Sequence, residues 1–144
     1  MRGYQGAVRT TNVTTSNAAV ELIAGAKGCW LFEVHLSLAT AAATVFGLGR
    51  PAAKGITPTT PLGLPSLDGD PTELSATTTA LAWGTSPTNP SKYMDRVSTS
   101  GAIGFVKDWI WANGLFVPSG QTIVVQNILG GGTADIAFRI GEIP

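Results

Sequence analysis

Leu115-Phe-Val-Pro-Ser-Gly-Gln-Thr-Ile-Val-Val-Gln-Asn-Ile128, then Gly130-Gly-Gly-Thr-Ala-Asp-Ile-Ala-Phe-Arg-Ile140, is the stretch that decides the fold class. Val117-Pro118-Ser119-Gly120 is a turn signal, because proline presets φ and glycine tolerates φ > 0. The runs on either side of Gly130-Gly131-Gly132 are apolar and β-branched, which favours strands. The stretch reads as the closing hairpin of a small β-domain, with a reversal richer in glycine than a two-residue turn requires. Few of its side chains can serve as acid, base, nucleophile or ligand.

Working outward, the clearest alternation in the chain is Cys29–Leu38. Trp30, Phe32, Val34, Leu36 and Leu38 fall on one face, and Cys29, Leu31, Glu33, His35 and Ser37 on the other. A sustained period of two predicts a half-buried strand. Further strands are predicted near residues 4–8, 18–24, 44–49, 77–83, 93–98, 103–106 and 109–111. Residues 39–43, rich in alanine, have helical propensity but strand neighbours, so they read as a connector. No segment combines helical periodicity with caps. The expected fold is all-β: a single antiparallel β-sandwich or jelly-roll barrel over residues 1–144, with about eight to ten short strands. Residues 1–17 are expected to form an extended N-terminal arm and first strand.

Composition narrows the function classes. Hydrophobic residues make up 44% of the chain and charged residues only 12%, against a usual charged share of roughly 25%. Thr, Ser, Asn and Gly take the place of surface Lys and Glu, which suggests that neighbours cover much of the surface. Nine basic and nine acidic side chains cancel, so the self-repulsion that keeps monomers apart is absent. No basic run offers a phosphate-backbone site, and direct nucleic-acid binding is not expected. No apolar run approaches the ~20 residues of a membrane helix, and Met1-Arg-Gly-Tyr-Gln-Gly lacks a signal-peptide core. Synthesis in the cytoplasm without secretion is therefore expected, and Asn12-Val13-Thr14 reads as a chance glycosylation match. The single Cys29 excludes an internal disulfide and reads as a buried, inert thiol.

Residues 50–76 break the strand rhythm. Pro51, Pro58, Pro61, Pro65 and Pro71, with glycines between them, exclude a helix or a central strand. The segment reads as a long loop, and its apolar Ile56, Leu62, Leu64 and Leu67 favour docking along a neighbouring subunit over packing on its own domain. A second extended loop is expected at Gly84-Thr-Ser-Pro-Thr-Asn-Pro90.

Chemistry is sparse. His35 is the only histidine, which excludes His-rich metal sites. It shares a strand face with Glu33, but a hydrogen-bonded histidine on a sheet face or interface is the better reading. No nucleophile elbow is present, and no catalytic residue, metal site or cofactor is expected. Asp68-Gly-Asp-Pro-Thr-Glu73 reads as turn chemistry, because its spacing departs from the EF-hand loop. The glycines of Gly47-Leu-Gly-Arg50 lack the strand-to-helix context of a phosphate loop. Trp109 and Trp111 share a strand face, so a ligand-stacking platform is an alternative to core or interface packing.

Val8-Arg-Thr-Thr-Asn-Val13, Val45-Phe-Gly-Leu-Gly-Arg-Pro-Ala52 and Gly114-Leu-Phe-Val-Pro-Ser-Gly120, followed by the terminal strands, resemble small virion proteins of tailed bacteriophages. More specifically, the chain resembles the head decoration (cement) proteins of the β-barrel or jelly-roll type. The resemblance implies a homotrimer on the outer capsid surface, bound to the major capsid protein and holding the shell against internal pressure. It implies capsid or subunit contacts through the arm and the long loop, at Arg9, Arg50, Ile56, Leu62, Leu64 and Leu67, and it brings no catalytic residues. The alternative is a tail-fibre or receptor-binding β module, with Trp109 and Trp111 stacking on host glycan. A cupin-like enzyme would need a set of metal-binding histidines that one histidine cannot supply.

Overall fold

A computed structural model describes residues 1–11 and 17–144, and among them there are twelve strands and no α-helix. In chain order these are β1 (Arg2–Arg9), β2 (Asn17–Ile23), β3 (Cys29–Leu38), β4 (Val45–Gly49), β5 (Ile56–Pro58) and β6 (Leu62–Pro65). They continue with β7 (Leu74–Ala80), β8 (Trp83–Thr85), β9 (Tyr93–Ser98), β10 (Val106–Val117), β11 (Thr122–Leu129) and β12 (Ala134–Glu142). One sheet runs β1-β12-β3-β10; the other runs β6-β7-β2-β11-β4-β9. All the neighbouring strands pair antiparallel.

The winding follows from which strands alternate. Along β1 to β4 and again along β9 to β12, successive strands change sheet, so β1-β12-β3-β10 faces β2-β11-β4-β9. That is the double-sheet order of an eight-stranded jelly roll, and the all-β sandwich expected from the sequence is what the chain forms. Leu22, Leu31, Leu36, Phe46, Leu48, Ile123, Ile136, Phe138 and Ile140 fill the space between the layers. Each such side chain contributes about 1.5–3 kcal/mol by leaving water.

The closing stretch differs from the hairpin expected of it. β11 lies between β2 and β4, whereas β12 lies between β1 and β3 in the opposite sheet. The glycine run is therefore an arch across the edge of the sandwich, not a two-stranded reversal. It passes so close to residues 39–44 that a Cβ on Gly130 would lie 2.2 Å from the Ala43 carbonyl oxygen, and one on Gly132 2.2 Å from Thr44 Oγ1. The Pro118–Gly120 turn is present, with Gln121 N–H donating to the Pro118 carbonyl (2.9 Å) and Gly120 at φ 72°.

β3 departs from simple alternation at one residue. Pairing on both flanks steps from Leu31 to Glu33 and leaves Phe32 unpaired, a β-bulge. Cys29, Leu31, Val34, Leu36 and Leu38 point inward and are buried, while Trp30, Glu33, His35 and Ser37 lie on the outer face. The expected set of Trp30 with Val34 is thus split, because one extra residue inverts the phase of everything before it.

The N-terminal segment is not a free arm over its described length. β1 is the border strand of its sheet, in register with β12 from Arg2↔Glu142 to Arg9↔Asp135, and Thr10 N–H continues the pairing to the Ala134 carbonyl at 2.9 Å. Asn12-Val13-Thr14 and the rest of the expected arm to Thr15 lie outside the described residues.

Residues 50–92, between β4 and β9, form one excursion that includes both expected loops. β6 and β7 extend the second sheet beside β2, with Pro65 on the border strand, where a missing N–H is tolerated. β5 and β8 pair as a short ribbon, Ile56↔Thr85 and Pro58↔Trp83. The long segment therefore packs largely on its own domain through Leu64 and the ribbon, while Ile56, Leu62 and Leu67 stay exposed on it.

Candidate interaction surface

The outer face of the first sheet is organised in four cross-strand rows. They are Arg9–Asp135–Ser37–Val106, Ala7–Ala137–His35–Asp108, Gln5–Arg139–Glu33–Ile110 and Gly3–Gly141–Trp30–Phe116. Charges on this face are paired. Arg9 grips Asp135 through Nε–Oδ1 (2.7 Å) and the second guanidinium nitrogen to Oδ2 (2.9 Å), which holds the Asp135 carboxyl below the usual aspartate range. Arg139 Nε lies 3.5 Å from Glu33 Oε2, and the Asp108 carboxylate accepts from His35 Nδ1–H. The fourth row is apolar, with the Trp30 and Phe116 rings 4.8 Å apart and tilted by 45°.

The outer face of the second sheet is covered by the excursion. Glu21, fully buried on β2, accepts from Gly55 N–H at 3.0 Å and from Trp83 Nε1–H at 2.9 Å, one donor from each side of the β5–β8 ribbon. Gln126 Nε2 reaches Asn89 Oδ1 at 2.9 Å, and Ala53 and Thr88 bond each other, so the two loops close together as one cover. A carboxylate at position 21 looks like an interruption of an apolar strand in the sequence. In the fold it is the clamp.

Apolar side chains remain exposed along the two long borders of the sandwich. At the border where β1 meets β6, Leu62 (62%), Leu67 and Leu74 face solvent. At the border where β10 meets β9, Ile103, Val106, Ile110 (65%), Phe116 and Met94 do so. The β9–β10 border is tied across the layers by Trp109 Nε1–H to Asp95 Oδ2 (2.7 Å) and by Lys107 Nζ to Asp95 at 3.5 Å. The indole bond holds the Asp95 carboxyl below the usual aspartate range.

The residues singled out from the sequence scatter over these features. Ile56 is exposed on the ribbon, and Leu62 and Leu67 belong to the β1–β6 border. Leu64 does not join them: it is 1% exposed, part of the core, and its side chain is unavailable to a partner. Two residues apart, Leu62 and Leu64 would share a face in a regular strand; the register shift between Gly63 and Pro65 breaks that phase, and nothing local in the sequence marks it. Arg9 is occupied by Asp135, and the exposed Arg50 donates to the Phe116 carbonyl at 3.1 Å, holding the end of β10. Trp109 and Trp111 do share a face, but it is the inward one; Trp109 is 6% exposed and Trp111 packs against the core, so they form no open stacking platform.

The remaining sequence candidates resolve as structure. In the acidic segment, Asp70 accepts from both Thr72 N–H (2.9 Å) and Thr72 Oγ1–H (2.8 Å), and Glu73 pairs with Arg2 and Tyr4. Cys29 is buried, which pushes its thiol up to about 11. What the sequence did not single out is Asp108 as the partner of His35, because only the pairing of β3 with β10 places them opposite one another. Comparison of the chain with protein-family models, with curated proteins and with solved structures finds no match.

Proposed function

We propose that this chain is a structural virion protein of a tailed bacteriophage, made in the host cytoplasm and bound as a homotrimer to the major capsid protein on the outer head surface. In this reading it stabilises the shell as a decoration protein. The observation that carries the proposal is the pair of unlike apolar borders on a charge-poor jelly roll. Leu62, Leu67 and Leu74 line one border, and Val106, Ile110 and Phe116 line the other. A closed ring is built from heterologous contacts, in which one patch of each copy meets a different patch of the next. Two unlike apolar patches on opposite borders suit that geometry, and the charge-paired part of the outer face on β1, β12 and β3 is left for a repeated lattice. Repetition multiplies a modest contact per copy.

The first test is native mass measurement of the purified chain with Leu62→Ser/Leu67→Ser and Ile110→Ser variants. The proposal expects a trimer that either variant shifts towards monomer without loss of β-structure. A wild-type chain that stays monomeric at high micromolar concentration counts against the ring. Deleting residues 58–71 is not a usable test, because it removes β6 and the core residue Leu64. The tail-fibre alternative relied on Trp109 and Trp111, whose inward orientation withdraws its support.

A further inference from the structure

We propose that Glu33, His35 and Asp108 form a binding site for a divalent transition-metal ion, with Zn²⁺ as its simplest probe, on the outer face of the first sheet. One ligand atom from each of these residues lies within 4.8 Å of the other two. Tetrahedral zinc, with bonds of about 2.0–2.2 Å, needs ligand atoms about 3.4 Å apart. Rotation of the half-exposed Asp108 and Glu33 side chains closes that gap without moving the backbone. An imidazole with two carboxylates is a mixed nitrogen and oxygen donor set of the kind zinc and its first-row neighbours accept.

Three features favour a site over an incidental cluster. Glu33 and His35 sit on β3, which is paired on both sides by β12 and β10, so their Cα positions are fixed by two ladders. Asp108 is the direct cross-strand partner of His35, which aims both side chains at the same point. On the other flank the partner of His35 is the small Ala137, and the same face holds a hollow of about 280 Å³ lined by Gln5, Glu33, His35, Ala137 and Arg139. Local charge also suits a cation. Two carboxylates face a single guanidinium, Arg139, which lies 3.5 Å from Glu33. On binding, the ion takes the place of the proton between His35 Nδ1 and Asp108; from a neutral ring that proton is taken up at Nε2 through water, and from an imidazolium, which already carries Nε2–H, it passes to solvent. Remaining coordination positions open outward to water or to a group of a docked molecule.

The test uses the whole chain freed of metal with a chelator and titrated with Zn²⁺ by calorimetry. Co²⁺ serves as a second probe, read by its visible absorption. The expected result is one ion per chain, with binding weakened about tenfold or more by His35→Ala, and also weakened by Asp108→Asn and Glu33→Gln. Asp70→Asn, in the other acidic segment, should leave binding unchanged. Arg139→Gln should tighten it, by removing the cation that competes for Glu33. Circular dichroism of each variant checks that the sheet is intact, and these residues lie at the surface, so folding is expected to survive. Absence of one-to-one binding by the wild type, or binding that persists undiminished in a folded His35→Ala chain, overturns the assignment.

Discussion

Glu21→Gln is expected to loosen the cover on the second sheet. The carboxylate is fully buried and accepts two bonds, from Gly55 N–H at 3.0 Å and Trp83 Nε1–H at 2.9 Å. Glutamine keeps one acceptor and turns an NH₂ group towards the second donor, so one charge-assisted bond is lost and buried donors are left facing each other. The expected cost is about 1.5–3 kcal/mol. For a domain of this size that is a fall in Tm of about 5–12 °C. Urea unfolding gives the global figure, and hydrogen exchange at the Gly55 amide with Trp83 fluorescence gives the local one. If the ribbon releases before the body unfolds, part of the cost is hidden from the global transition and is seen as faster Gly55 exchange and a red-shifted Trp83. A loss below about 0.5 kcal/mol with Gly55 exchange unchanged refutes the clamp.

Three further outcomes follow from the geometry. Within the glycine arch, Gly130→Ala and Gly132→Ala should each destabilise by more than about 1 kcal/mol in denaturant unfolding, the former also because its φ is 86°. Gly131→Ala meets nothing within 4 Å and should be near neutral, so equal costs at all three positions contradict the arch. Asp95 is held below the ordinary aspartate range chiefly by Trp109, so the unfolded chain binds that proton more readily than the folded one. Its stabilising contribution is full at neutral pH and is lost as pH falls below about 4; Trp109→Phe should flatten that part of the acid limb. Finally, the Cys29 thiol, raised to about 11 mainly by burial, should not react with a thiol reagent at pH 7 until the chain unfolds; prompt labelling of the native protein would show that the β3 terminus is open.

The fold class was legible because it depends on local pattern. Alternation in β3, turn chemistry at Pro118–Gly120 and the absence of helical periodicity all report on neighbours in sequence. What failed were statements that depend on pairing. Nothing local distinguishes a hairpin from an arch at Gly130–Gly132; the choice is made when β11 finds β2 and β4 while β12 finds β1 and β3. The bulge at Phe32 is equally silent, because the residue is apolar on either face. The exclusion of a central strand holds for the proline-bearing residues 51–71 but not for the whole of residues 50–76, because the internal strand β7 begins at Leu74; a border strand tolerates proline, and that is where β6 lies. Of the residues expected to make contacts, Leu62 and Leu67 are exposed, whereas Leu64 is buried against the neighbouring β7 and β1. The Glu33, His35 and Asp108 cluster joins residues more than seventy positions apart and could not be read from spacing.

Electron cryomicroscopy of phage particles purified from a host that makes the chain with a tag tests the proposed place of this protein on the head. The expected result is jelly-roll density repeated in threes over the outer surface of the head, in contact with the major capsid protein. Density confined to the tail, or particles that lack the chain, would contradict it.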